Sequence, residues 1–253
     1  MFTILPKHGK FRLIESNQLR GIPVPTREAV GAGRRWEPIQ HGALVNALRC
    51  RLDRHFGEPG REQFCISNDG AECIGAFQFS GPNLDVRVPG GTAFAVGFSH
   101  ANDRSRALRL ALGYRVLVCS NGVTAAYGNA ATNARHLHVR GAGNLEDQVN
   151  DLVDRYLAQL DKVADSVEDL AHRELSNTES ERLFVQLGRR NVLSWKHVGN
   201  AVEDWYTPRH AEFSPRTAWS WYNCVNEQTK SLPVARQPIV QHAAFRLVSA
   251  DLN

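Results

Sequence analysis

QFCISNDGAECIGAFQFS, residues Gln63–Ser80, places two apolar, β-rich runs on either side of Asn68-Asp69-Gly70. Asp-Gly between such runs is a strong hairpin signal, because both residues tolerate the positive φ of a tight turn. Gln63–Ser67 and Glu72–Ser80 therefore read as paired strands, and Gly81-Pro82-Asn83 ends the second. Downstream, Leu84–Val88 and Thr92–Ser99 form another expected pair around Pro89-Gly90-Gly91. Asp103–Leu112 reads as a short helix with Ala107, Leu108 and Ala111 inward. Tyr114–Cys119 reads as a central strand turned by Asn121-Gly122, and Val123–Gly143 shows no clear period. Upstream, His41–Phe56 carries Leu44, Val45, Leu48 and Leu52 at helical spacing and is stopped by Gly57-Glu58-Pro59-Gly60. Residues 1–40, with Pro6, Pro23, Pro25, Pro38 and Gly31-Ala32-Gly33, read as an irregular N-terminal arm.

Beyond the strands the period changes. Asn144–Ala171 carries one apolar stripe: Leu145, Val149, Leu152, Tyr156, Leu160, Val163, Val167 and Leu170. A single helix there, capped by Asn144, would run about 40 Å and lie across the sheet. Thr178-Glu179-Ser180-Glu181 matches a capping box. Trp195, Val198, Val202 and Trp205 suggest a further helix; Ser214-Pro215 signals another, carrying Trp219, Tyr222 and Val225. Ile239, Val240, Ala243, Ala244 and Leu247 suggest the last. Strands grouped first and helices later predict an α+β fold: a core over 41–175 with the long helix 144–171, and a helical region over 176–253 packed with it.

Composition excludes more than it assigns. The chain has 253 residues, 42% hydrophobic and 22% charged, which is ordinary globular usage. No apolar run approaches the roughly 20 residues of a membrane helix. Lys7, His8 and Lys10 occupy the stretch where a secretory signal would be apolar, so a soluble cytoplasmic protein is expected. Five irregularly spaced cysteines without CxxC argue against a disulfide scaffold or zinc finger. GK[ST] phosphate loops, GxGxxG, HExxH and GxSxG are absent, so no cofactor is expected.

The net charge of +4 hides an asymmetry. Residues 1–143 carry +8, residues 144–181 carry −8, and residues 182–253 carry +4. Arg outnumbers Lys 25 to 5. A basic half rich in Arg suits a polyanionic partner, while a GC-rich genome enriches Arg whatever the task. Three constellations are the candidate nucleic-acid contacts. Arg34-Arg35-Trp36 sets two cations beside an indole; the alternative is a Trp packing the loop onto the core. Arg104, Arg106 and Arg109 come from the short helix, as a phosphate clamp or as a solvated face. Arg135 through Arg140 alternates like a strand, with His136, His138 and Arg140 on one face and Arg135 on the other. Zinc ligation by His136, His138 and Cys119 needs only residue types that coincide by chance, so no metal is expected. Cys119 ends an apolar strand, which suits a buried small hydrophobe better than a nucleophile. Among the C-terminal aromatics, Trp195, Trp205, Tyr206, Trp219 and Tyr222 suit core packing; Trp221 lies off the stripe and suits surface stacking or a subunit contact.

Gly97-Phe98-Ser99-His100-Ala101-Asn102-Asp103-Arg104-Ser105, the strand ending Cys119-Ser120-Asn121-Gly122, a following His136 or His138, and Pro215–Asn223 resemble the phage and plasmid proteins called domain of unknown function 932. The resemblance spans roughly residues 36 to 230. It implies a mobile-element product in a bacterial cytoplasm and carries no catalytic residues with it. The element order, helix then hairpins then long helix, is also similar to the core of phage single-strand annealing recombinases. Fold order does not fix function. The expectation is a non-enzymatic DNA-binding protein that prefers single strands, forms a homo-oligomer and anneals or recombines strands. Two alternatives stay open: a protein that binds and redirects a host factor, and a divalent-metal nuclease using Asp69, Asp85 or Asp103.

Overall fold

The computed structural model describes residues 10–33, 36–81, 84, 86–105, 108–117, 122–127, 144–158, 160–233 and 236–250. Among these residues six strands form one antiparallel sheet in chain order: β1 (Phe11–Ile14), β2 (Arg61–Ser67), β3 (Glu72–Phe79), β4 (Thr92–Ala101), β5 (Arg109–Val116) and β6 (Gly122–Tyr127). The fold is α+β, as the grouping of strands and helices implied.

The β2–β3 hairpin is built as its sequence suggests. Cys65 pairs with Ile74 and Ile66 with Cys73. Gly70 adopts φ 74 and donates to the Ser67 carbonyl at 2.8 Å. The Asp69 carboxylate accepts from the Ser67 hydroxyl and from Ala71 N at 3.0 Å. Phe64, Phe77, Phe79, Phe94, Val96 and Phe98 are buried in the core. Gly75 makes room for two of them: a Cβ there would lie 2.4 Å from the Phe98 ring and 2.5 Å from that of Phe64.

Several elements depart from the sequence reading. The arm supplies edge strand β1 and a 3-10 turn, Ser16–Gly21, with Leu19 buried. Residues 86–88 are a loop, although Val86 and Val88 are buried; the Thr92 hydroxyl bonds both N and O of Val86. Among the described residues of 103–112 no helix forms. Residues 102–105 are a bend and β5 starts at Arg109, with Leu108 and Leu110 buried on either side of half-buried Arg109. Pairing to β4 outweighs the weak helical spacing. β5 is next to the sheet edge rather than central and stops at Val116; Cys119 lies outside the described residues.

Helix α1 (His41–Phe56) has its expected bounds, with the Gln40 side chain accepting from Ala43 N and Gly57 at φ 75. The expected 40 Å helix is two: α2 (Leu145–Leu157) and α3 (Leu160–His172). They take different partners, α2 against α1 and α3 against α6 (Ala218–Thr229). Asn144 Oδ1 accepts from Glu146 N at the start of α2. Helix α4 (Asn177–Arg189) opens with a capping box of Ser176 and Glu179, two residues before the expected one. Helix α5 (Trp195–Tyr206) follows. Helix α6 is capped by Thr217 instead of Ser214, and α7 (Gln237–Ala250) packs on α6 and β6. Every residue from Ala218 to Asn226 is buried. One continuous apolar cluster joins sheet and helices. Among the described residues, no helix is long and apolar enough to cross a membrane.

Candidate nucleic-acid interface

Asn102 is fully buried where β4 ends. Its Oδ1 accepts from Ile39 N at 2.9 Å and its Nδ2 donates to Ile39 O at 2.9 Å. Such a two-bond clamp gives both polar groups of a loop residue a partner inside the fold. Two residues on, Arg104 adopts φ 68, a backbone region that disfavours side chains with a Cβ. From there its Nη1 donates to the Gly31 carbonyl at 2.7 Å. The loop 31–39 is therefore tied at both ends to the turn 102–105. Between the ties, Trp36 N donates to Gly33 O at 3.0 Å, and the Trp36 side chain is half-buried. Arg104 is exposed and has no carboxylate partner among the described residues.

The structure thus joins the segments of two sequence constellations, with Trp36 and Arg104 on them. Arg109 is not part of this turn: it lies on β5, paired in register with Ser99, and is half-buried. Arg109 is therefore on a strand and not on the helical face expected for it. Arg34, Arg35, Arg106, Arg135, His136, His138 and Arg140 lie outside the described residues.

Part of the basic charge is compensated internally. Arg27 pairs with Glu37 at 3.0 Å and Arg49 with Glu62 at 2.7 Å. Arg51 pairs with Asp154, so the acidic segment reaches back to α1. Beside the loop, a cleft of about 550 Å³ opens between α1 and α2, its lining mixing Arg20, Asn46 and Glu146 with Ala43, Ala47 and Leu145.

The aromatic assignment is reversed at three positions, Trp221, Trp195 and Tyr206; Tyr206 is exposed, with its hydroxyl donating to Glu181 Oε1 at 2.6 Å. Trp221 is fully buried; its Nε1 donates to Ser180 O at 3.2 Å and its ring centroid lies 5.1 Å from that of Phe184. Trp195 is 59% exposed. Its opposing surface signal was present in sequence, since Arg189, Arg190 and Lys196 flank it without a carboxylate. Arg216 covers Trp205, its guanidinium carbon 4.8 Å from the ring centroid.

Thiol chemistry finds no poised nucleophile at the buried Cys65, Cys73 and Cys224. Burial pushes Cys65 up to about 11 and Cys224 up to about 12, and raises Cys73 as well. No group of three or more metal-ligating side chains occurs among the described residues.

Neither the curated proteins nor the solved structures give a match to the chain. A family match covers residues 83–248. It starts well after Trp36 and reaches beyond residue 230, so α1 and the first hairpin precede it while α7 falls almost wholly within it. That match takes in β4, β5, β6 and all helices after α1, and by it the chain belongs to the family described as domain of unknown function DUF932.

Proposed function

We propose that the protein binds nucleic acid, single-stranded DNA by preference, as a phage- or plasmid-type protein of the bacterial cytoplasm. The observation that supports this most directly is the double tie between loop 31–39 and turn 102–105, through Arg104 to Gly31 and Asn102 to Ile39. It holds the neighbours of Arg34 and Arg35 in sequence close to an exposed, uncompensated arginine. A single strand offers phosphates to guanidinium groups and unpaired bases to an aromatic face such as Trp36. Binding that leaves other bases free suits annealing of complementary strands by an oligomer.

Fluorescence anisotropy with labelled oligonucleotides tests it. At low salt the protein should bind a single strand more tightly than the blunt duplex. The logarithm of affinity should fall linearly with that of salt concentration, by about 0.7 per phosphate contact. Absence of single-strand binding at low salt overturns the proposal.

The ion pairs Arg27–Glu37, Arg49–Glu62 and Arg51–Asp154 favour a second reading, capture of a host factor, because they shrink the free positive surface. A stoichiometric host protein retained from lysate, with no DNA retained, would select it.

A further inference from the structure

Residues 182–202 contain Arg182, Arg189, Arg190 and Lys196 and no aspartate or glutamate. They make up the end of α4, the turn, and most of α5. Asn191 closes the turn at φ 53. Asn191 N donates to Gly188 O at 3.0 Å and Val192 N to Leu187 O at 3.0 Å. This is a Schellman ending with asparagine in the left-handed position that glycine usually takes.

The closure brings Trp195 onto the last turn of α4. A Cβ on Gly188 would stand 2.6 Å from Trp195 Cζ3 and 2.7 Å from Cη2, so the benzo edge of the indole occupies the space a side chain would fill. Glycine inside a helix costs about 1 kcal/mol relative to alanine; here its bareness seats the ring. More than half of the indole still faces solvent, whereas Trp205, Trp219 and Trp221 are buried. Arg189 and Arg190, which follow Gly188 in the chain, and Lys196, which follows Trp195, are exposed, and none has an ion pair among the described residues. A hydrogen-bonded relay fixes the start of α5. Ser231 Oγ donates to Gln228 O at 2.8 Å, so it accepts from His197 Nε2 at 2.8 Å. His197 Nδ1 then accepts from Ser194 Oγ at 2.7 Å.

We infer that this corner is a stacking platform for a nucleobase, with Trp195 under the base and Arg189, Arg190 and Lys196 on the flanking phosphates. It is a second contact for the single strand proposed above and rests on that reading. Three exposed cations next in sequence to the seat and the indole, without an ion pair among the described residues, complement a polyanion. Val185 is the exposed large apolar side chain of α4, which is little for a protein partner whose interface core is depleted of charge.

The test is anisotropy with labelled oligo(dT) and a blunt duplex on wild type, Trp195→Ala, Trp195→Phe, Arg189→Glu with Arg190→Glu, Gly188→Ala and Arg104→Gly. Trp195→Ala should weaken single-strand binding about 5- to 100-fold and Trp195→Phe should restore most of it. The double Arg variant should weaken binding and lower the salt slope by about 1 to 2. Gly188→Ala keeps every charge and the indole but displaces the ring, and should weaken binding several-fold. If wild type binds no single strand, the functional proposal falls and this one with it. If Arg104→Gly weakens binding while the Trp195 and Gly188 variants match wild type, this inference alone is overturned. It is also overturned if Trp195→Ala leaves affinity unchanged and dissociates an oligomer in sedimentation, which makes the corner a protein contact.

Discussion

The Nδ1 atoms of His41 and His100 lie 3.1 Å apart, with both residues fully buried. His41 Nε2 faces the Gly70 carbonyl at 2.9 Å, and a carbonyl only accepts. In a neutral pair His41 therefore carries its proton on Nε2, and His100 donates from Nδ1. The contact joins the first residue of α1, the hairpin turn and the end of β4. His100→Leu leaves the His41 Nδ1 acceptor without this donor and should lower unfolding free energy by about 1–3 kcal/mol. Urea denaturation checks it; a change within error would show that the pair does not hold the corner.

Arg104 separates stability from binding. At φ 68 a glycine is better suited than arginine, by roughly 1 kcal/mol, which offsets the lost bond to Gly31. Arg104→Gly should melt within a few degrees of wild type or above it, yet bind oligo(dT) more weakly. Loss of both together would make Arg104 a structural brace only.

Asp69 ties the hairpin to pH. Its carboxyl sits below the usual range, chiefly because the Ser67 hydroxyl donates to it and next because Ala71 N–H does. A depressed folded value means the stabilisation is full above the unfolded pKa of about 3.9. It is lost as pH falls through the lower folded value. Asp69→Asn should therefore be less stable than wild type near neutrality, and the gap should close in acid. A gap that widens on acidification would contradict the sign.

Trp221 and Trp195 should respond oppositely to truncation. Trp221→Ala opens a cavity inside a closed core and should cost about 3–5 kcal/mol. Trp195→Ala should stay below about 1 kcal/mol, as exposed positions do. Chemical denaturation of the two variants side by side decides this.

Thiol access follows the same burial. Cys50 is exposed, whereas Cys65, Cys73 and Cys224 are buried with raised values. Of these four, maleimide at neutral pH should label Cys50 in the folded protein and the other three only in denaturant, read by peptide mass spectrometry. Native labelling of Cys73 would refute the packing of β3.

What was legible in the sequence was local. The three-and-four spacing of Leu44, Val45, Leu48 and Leu52 with Gly57 defined α1, and Asp69-Gly70 defined the hairpin, because each signal is complete within a few residues. The stripe from Leu145 to Leu170 was legible, but its interruption after Leu157 was not: no glycine or proline marks it, and the two halves bend to separate partners. Leu108 and Leu110 alternate as strand residues do, a period obscured by Ala107 and Ala111 until Leu110 pairs with Phe98 of β4. Of the candidate site, the residue types at Trp36 and Arg104 were readable. Their segments' union was not, since it depends on Asn102 reaching a loop residue far away in the chain. Trp221 was misassigned because a stripe argument presumes one solvent-facing side.

Helix α6 has no such side, and its hydrogen bonds are turned inward: Asn223 Nδ2 donates to Trp219 O and Gln228 Nε2 to Asp204 Oδ2. An amphipathic helix accepts diversification at every position that rotates into water, in a repeating beat. A saturation library over 218–226 should instead show an unbroken plateau of intolerance, polar residues included. Relatives would then drift fastest in the helices around this axle and slowest along it.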